Sequence, residues 1–159
     1  MEEEVNIERK PKSDFLPFIA VTLLIVLPIR LFVAQPFIVN GASMSPTFES
    51  GDYLIVDELT FHFRDPKRGE VIIFKYPKDP SKYFIKRVIG LPGDTVDGET
   101  LGTTEYFVEG DNRDASSDSR VWGPVERDLV IGRPIVRLLP IGELSFLPGL
   151  AEKDAYLSE

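Results

Sequence analysis

No cysteine occurs in the 159 residues, which excludes a disulfide framework, a thiolate nucleophile and a zinc–thiolate site together. A single histidine, His62, leaves no multi-histidine metal centre. Positive charge is scarce as well. Eighteen Lys and Arg stand against 26 Asp and Glu, and the net charge of -8 repels a phosphate backbone, so nucleic-acid binding is set aside. Internal repeats and low-complexity tracts are missing. So are several catalytic signatures: no Ser is followed three residues later by Lys, and there is no Gly-x-Ser-x-Gly, no Gly-Lys-Ser/Thr and no His-Glu-x-x-His. What is present is 43% hydrophobic and 28% charged residues, with 13 Pro and 12 Gly spread along the chain. That is enough for one folded unit with many turns and too little for two full domains.

The strongest single signal is the run from Phe15 to Ala34, 20 residues with one charge, Arg30. At about 1.5 Å per residue a helix of this length covers about 30 Å, the hydrocarbon core of a bilayer, and predicts a transmembrane anchor over 15–34. Pro17 falls in the first turn, Pro28 is tolerated with a kink, and Arg30 lies near one end where its stem can snorkel. A cleaved leader fits less well, because the preceding segment is acid-rich and Phe32 would occupy -3 if Ala34 were -1. Arg9, Lys10 and Lys12 precede the run, and no Lys or Arg follows Arg30 until Arg64. The positive-inside rule then makes 1–14 a cytoplasmic tail and puts 35–150 on the outer face, with a flexible tail over 151–159.

Beyond the anchor the pattern is β. Runs rich in β-branched and aromatic residues cover Phe37–Val39, Tyr53–Asp57, Val71–Tyr76, Tyr83–Ile89, Tyr106–Val108 and Leu129–Leu139, divided by turn signals such as Leu91-Pro92-Gly93-Asp94. The expected fold is mainly β, an antiparallel and partly barrel-like catalytic domain behind one N-terminal transmembrane helix.

Three segments carry polar residues suited to chemistry. Asn40 to Thr47 sets two serines, Ser43 and Ser45, among small residues that let a substrate backbone approach, although a plain turn has the same composition and spacing prefers neither serine. In Tyr83 to Ile89, strand alternation puts Phe84, Lys86 and Val88 on one face. Burying that face would disfavour the ammonium and free an amine able to take a serine proton; the competing role is a charged residue guarding a strand edge, and Lys75 is a weaker rival. The third segment, Gly110 to Arg120, is dense in donors and acceptors. It fails as a calcium loop, because Ser119 and Val125 stand where Gly and Glu are needed, and it fits a network that holds other side chains in place. His62 lies in Thr60-Phe61-His62-Phe63-Arg64 without a polar cluster and reads as structural or surface.

Together these segments resemble the bacterial type I signal peptidases. Ser43-Met44-Ser45-Pro46-Thr47 is similar to the family's nucleophile box. Gly51-Asp52, Pro66 to Val71, Ile85-Lys86-Arg87-Val88-Ile89-Gly90-Leu91-Pro92-Gly93-Asp94, and Gly110-Asp111-Asn112-Arg113-Asp114 through Asp118-Ser119-Arg120-Val121-Trp122-Gly123 follow in the family's order, so the likeness covers residues 15 to 148. The resemblance implies Ser43 as nucleophile and Lys86 as general base of a serine endopeptidase that removes signal peptides after small residues at -3 and -1, with neither cofactor nor metal. It implies that Ser116 orients the Lys86 amine and that Asp111, Asp118, Arg87 and Arg120 form a supporting ion-pair network. The Ser43 N–H would be one oxyanion donor; Gly41 stands where some members use a serine as the second. Phe37, Val39, Met44, Leu54, Phe84 and Ile85 would line the pockets for the small residues. Implied partners are signal peptides of exported preproteins, the lipid bilayer and a nearby secretion translocon, at the plasma membrane with the catalytic domain outside. One departure is the short Thr95–Glu105 loop, where many relatives insert a second β domain. The rivals are an inactive membrane-tethered β module and a self-cleaving SOS-repressor-type Ser–Lys peptidase.

Overall fold

The computed structural model describes residues 15–32, 34–146 and 148. The two tails, with Arg9, Lys10 and Lys12, lie outside the described residues. The apolar run forms helix α1, Phe15–Phe32, two residues shorter than the sequence run because the chain is already extended in strand β1, Ala34–Ile38. Among the described residues, no helix is long and apolar enough to cross a membrane.

After β1 come strand β2 (Tyr53–Asp57), the short helix α2 (Thr60–Phe63), β3 (Val71–Tyr76), β4 (Asp79–Gly90), β5 (Thr95–Val96), β6 (Glu99–Thr100) and β7 (Glu105–Glu109). Helix α3 (Ser119–Trp122) and strands β8 (Val125–Glu126), β9 (Val130–Leu139) and β10 (Ser145–Phe146) complete the order. Seven strands form one path, β1-β2-β9-β3-β4-β7-β8, with β10 added to β9, and all its pairings are antiparallel. This bears out the antiparallel β class and corrects its closure: among the described residues β1 and β8 each pair on one side only, so the sheet is open rather than barrel-like. The Thr95–Glu105 loop is also more structured than expected. Asp97 (φ 53°) and Gly98 (φ 83°) make the left-handed turn that an Asp-Gly pair favours, and it joins β5 to β6 as a hairpin.

Strand β3 decides where the core lies. Its sequence Val71-Ile72-Ile73-Phe74 is apolar at every position and all four are buried, as a strand covered on both faces requires. Ile72 and Phe74 join Val88, Tyr106, Val108, Trp122 and Val125 in one cluster, while Val71 and Ile73 join Val39, Met44, Phe48, Leu54 and Val56 in the other. Strand β2 alternates as a half-buried strand should, sending Leu54 and Val56 into the second cluster. Each fully buried Leu, Val or Phe contributes about 1.5 to 3 kcal/mol. The β1–β2 connection, residues 39–52, is sewn to this core by Val39, Met44 and Phe48, and its base closes through Val39 N–H to Asp52 O and Gly51 N–H to Val39 O, both 2.9 Å.

Strand β9 is the seam, pairing with β2, β3 and β10. At Gly132 a Cβ would stand 2.5 Å from the Asp57 carbonyl oxygen and 2.8 Å from Val56, so only glycine lets the seam close. Gly132→Ala is expected to cost about 1 to 3 kcal/mol, read as a lowered midpoint in denaturant unfolding; an unchanged midpoint would show that the seam relaxes freely.

Candidate active site

The cleft lies between β1 and the first half of β4. Residues 79–86 of β4 pair with β3 alone, whereas 87–90 also pair with β7, so the edge facing β1 is open. The cavity encloses about 500 Å³ and runs from Phe37–Val39 and Gly41–Ser43 on one wall to Lys82–Lys86 on the other. Phe37 and Tyr83 meet across it edge to face, with ring centroids 5.5 Å apart.

At one end Lys86 donates from Nζ to Ser43 Oγ at 2.6 Å and to its neighbour's carbonyl, Ile85 O, at 2.9 Å. Lys86 is 4% exposed. Burial drives its pKa down from the ordinary 10.5 to about 8, against the pull of the Asp118 and Asp111 charges, which raise it. The alternation that puts Lys86 between Phe84 and Val88 is the cause, since Val88 is fully buried and the Phe84 ring lies 5.5 Å from Nζ. Ser43 is held from behind by backbone: Asn112 N–H donates to Ser43 O at 3.0 Å. Ser45, the other serine, points elsewhere and donates to Glu49 at 2.6 Å.

Two carboxylates of the acidic loop, Asp111 and Asp118, are ion-paired. Arg87 grips Asp111 with Nε to Oδ1 at 2.8 Å and Nη2 to Oδ2 at 2.6 Å, and donates to Gly69 O at 2.7 Å. Asp118 is wholly buried and accepts from Arg120 through both oxygens at 2.8 Å and from Gly110 N–H at 3.1 Å. Burial alone would raise its pKa, but Arg120, Ser116 and the Gly110 N–H outweigh this and hold it at about 2. Ser116 departs from the expected contact. Its Oγ is buried with no hydrogen bond of good geometry, to Lys86 or to any other group, and its influence is felt by Asp118. Nζ donates instead to Ser43 and Ile85.

Of the six pocket residues, Phe37, Val39, Leu54, Phe84 and Ile85 line the cleft. Met44 does not: it is 1% exposed and packs in the core beneath the loop, because the residue after Ser43 points inward. Gly41 has φ +103° with open space where a Cβ would stand, and its N–H goes to Ser50 Oγ at 3.3 Å. Lys75 pairs opposite Tyr83 and does not line the cleft; His62 Nδ1 contacts Glu58 O at 2.9 Å on the surface. Among the described residues no His, Asp and Glu cluster is gathered as a metal site.

Two contributors escape sequence reasoning. Thr47 Oγ1 donates to Asp111 at 2.5 Å, and its carbonyl accepts from Arg137, so the serine loop is clamped to the acidic loop and to β9. Gly110 has no positive φ to signal its need, yet a Cβ there would lie 2.4 Å from Ser43 O and 2.3 Å from Ser116 Oγ. Ile73 also lines the cleft.

A serine hydroxyl resting on a desolvated amine, at the end of an apolar groove with an open strand edge, is the equipment of a serine hydrolase that works with a lysine base and takes extended chains. Comparison with known proteins agrees. The signal peptidase, peptidase S26 family model matches residues 12–101 and 97–139. The chain is similar to the probable signal peptidase I-1 of Synechocystis sp., 35% identical with 86% of this chain and 90% of that protein covered. It is 34% identical to signal peptidase I of Leptolyngbya laminosa, covering 86% and 84%. Against the Homo sapiens mitochondrial inner membrane protease subunit 1 the identity is 34%, covering 73% of this chain and 76% of that one. The chain belongs to the signal peptidase, peptidase S26 family, and is a serine peptidase.

A lysine whose pKa falls from 10.5 to about 8 on folding lowers stability wherever it is charged, by about 3 kcal/mol. The cost is complete below pH 8, where folded and unfolded chains are both protonated, and is relieved as pH rises from 8 to 10.5. Lys86→Met should therefore be more stable than wild type at pH 7 by up to about 3 kcal/mol, with the gap closing toward pH 10.5. Denaturant unfolding of the two proteins across that range checks it; a variant less stable at pH 7 would mean that the amine is not desolvated.

Proposed function

We propose that the chain is a membrane-anchored serine endopeptidase that cleaves N-terminal signal peptides from exported preproteins after small residues at -3 and -1, with Ser43 as nucleophile and Lys86 as general base. The observation that carries this is the 2.6 Å contact between Ser43 Oγ and a buried lysine amine whose pKa is about 8. At pH 7 about a tenth of such amines are neutral, enough to accept the serine proton without a histidine.

The substrate lies extended along the open β4 edge, and Ser43 Oγ attacks the scissile carbonyl as its proton passes to Nζ. The oxyanion is met by the Ser43 N–H. Gly41, with no Cβ beside the groove, lets the substrate carbonyl come close, and a second donor then comes from the loop's backbone or from water. Lysine returns the proton to the departing amine, leaving the signal peptide as an acyl ester on Ser43. It then takes a proton from water, hydroxide attacks the ester, and Oγ leaves with the proton. Asp111, Asp118, Arg87 and Arg120 hold the two loops in place. Phe37, Val39, Leu54, Phe84 and Ile85 admit small side chains and exclude large ones by contact.

Helix α1 and the rest of the apolar run serve as the anchor. A catalytic domain tethered outside the bilayer then meets cleavage sites that emerge beside it, near the translocon, with the N-terminal segment in the cytoplasm. The tethered-module and self-cleaving alternatives are not favoured: a pure binding module needs no desolvated lysine on its serine, and no DNA-binding helical segment occurs among the described residues.

A preprotein with Ala at -3 and -1, incubated in detergent with the full chain, should be cut after the -1 residue. Ser43→Ala and Lys86→Ala should each abolish cutting, and intact substrate with wild type would overturn the proposal. Below pH 8 kcat/KM should rise about tenfold per pH unit and level off above it, since only the neutral amine acts. A profile flat from pH 6 to 9 would remove Lys86 as the base. Gly110→Ala, which pushes on Ser43 O, should lower kcat about 100-fold with KM little changed; unchanged kcat would mean that the loop yields.

A further inference from the structure

We propose that Tyr76 sets the upper size of the side chain accepted at -1, by backing the Phe84 ring that forms the cleft wall beside the reacting atoms. The inference rests on the dyad described above and goes beyond it in assigning specificity to a residue outside the cleft.

Phe84 lines the cleft beside the dyad. Its ring centroid is 5.5 Å from Lys86 Nζ, and Nζ is 2.6 Å from Ser43 Oγ. On the proposed reading, a side chain on the residue whose carbonyl Ser43 attacks packs against this ring. Phe84 is only half-buried. What fixes it is behind. Tyr76 stacks on Phe84 at 4.6 Å between centroids with the planes 15° apart, and Phe74 meets it edge to face at 6.3 Å. Tyr76 in turn abuts Trp122 at 5.7 Å and 80°, and Trp122 leans on Phe74 at 6.0 Å. The buried Trp122 Nε1–H has no hydrogen-bond partner, so this ring is held by packing alone. Trp122 ends α3, whose N-terminus is capped by Asp118, the carboxylate of the Arg120 pair.

The four rings form a backing plate from the ion-paired loop to the cleft wall. Phe84 cannot retreat from a larger substrate side chain, because the space behind it is filled by Tyr76. No hydrogen bond to the Tyr76 hydroxyl occurs among the described residues, so the bulk of the ring, not its oxygen, does this. Removing the ring leaves a void into which Phe84 can swing, enlarging the groove at -1 and loosening the cover over Lys86.

The test uses the full chain in detergent with two preproteins, alike except for Ala or Val at -1. Wild type and Tyr76→Phe should show the same strong preference for Ala. In Tyr76→Ala the ratio of kcat/KM for Ala over Val should fall at least about tenfold, the scale on which pockets discriminate single methyl groups. The pH midpoint of activity should also move above 8, since a less shielded amine is a stronger base. If Tyr76→Ala does not fold, Tyr76→Leu carries the same test with a smaller void. Equal loss on both substrates, with the ratio unchanged, would make Tyr76 merely structural and overturn the proposal. Failure of the dyad itself would look different: wild type would leave the Ala substrate uncut, or Ser43→Ala would cut it.

Discussion

Everything at this site follows from the burial of one amine. Water stabilises an ammonium far better than a protein interior does, and Lys86 is placed where it has Phe84 and Val88 on its own strand face and Ser43 Oγ and Ile85 O as hydrogen-bond partners. The folded protein carries this as a standing cost at neutral pH. In return, on the proposed reading, it has a base whose pKa of about 8 is within reach of the proton transfer asked of it.

That constraint explains how the neighbouring charges are arranged. Asp111 and Asp118 both act to raise the lysine's pKa, and two bare carboxylates beside it would restore an ordinary lysine. Each is instead bound to its own guanidinium, Asp111 to Arg87 and Asp118 to Arg120, in two-toothed pairs that spread the negative charge away from Nζ. The pairs also do mechanical work. Asp111 reaches Thr47 in the serine loop, and Asp118 takes the Gly110 N–H, so the segment that supports Ser43 O through Asn112 is fixed at both ends. Arg87 follows Lys86 directly in a strand, and alternation sends the two side chains to opposite faces. One residue thus supplies the base while its neighbour answers the carboxylate that would spoil it.

Much of this was legible in the sequence. The strand runs at 53–57 and 71–76 match β2 and β3, because their apolar patterns match the faces they bury. The alternation that makes Lys86 a candidate base is the alternation that buries it. Other features could not be read. Ser43 and Ser45 are equivalent by spacing and differ only in what the folded loop offers, Lys86 to one and Glu49 to the other. The family resemblance put Met44 among the pocket residues, but a side chain next to an outward-facing serine turns into the core. Gly110 gives no local signal at all, since its φ is ordinary and its need is set by Ser43 O, 67 positions away in sequence. Nonlocal contacts of this kind appear only when the fold is in hand.

The openness of the sheet is the last link. Closing it by pairing β1 with β4 would satisfy two rows of backbone groups and remove the groove, so the site exists because these edges remain unpaired. Free edges invite pairing with other chains, and both carry devices against it. Pro36 sits in β1 where it has a partner, Ile55, on one side only, so its missing N–H costs the ladder little; Pro80 is the second residue of β4, and Lys82 with Asp79 sets charges on its exposed stretch. Farther along, the edge is protected less by its own side chains than by Phe37 and Tyr83 meeting across the gap. On the proposed reading, an incoming chain parts that contact and places small side chains against Phe84 and Ile85 before its carbonyl reaches Ser43. The geometry that keeps the edges from aggregating then also selects what is cut.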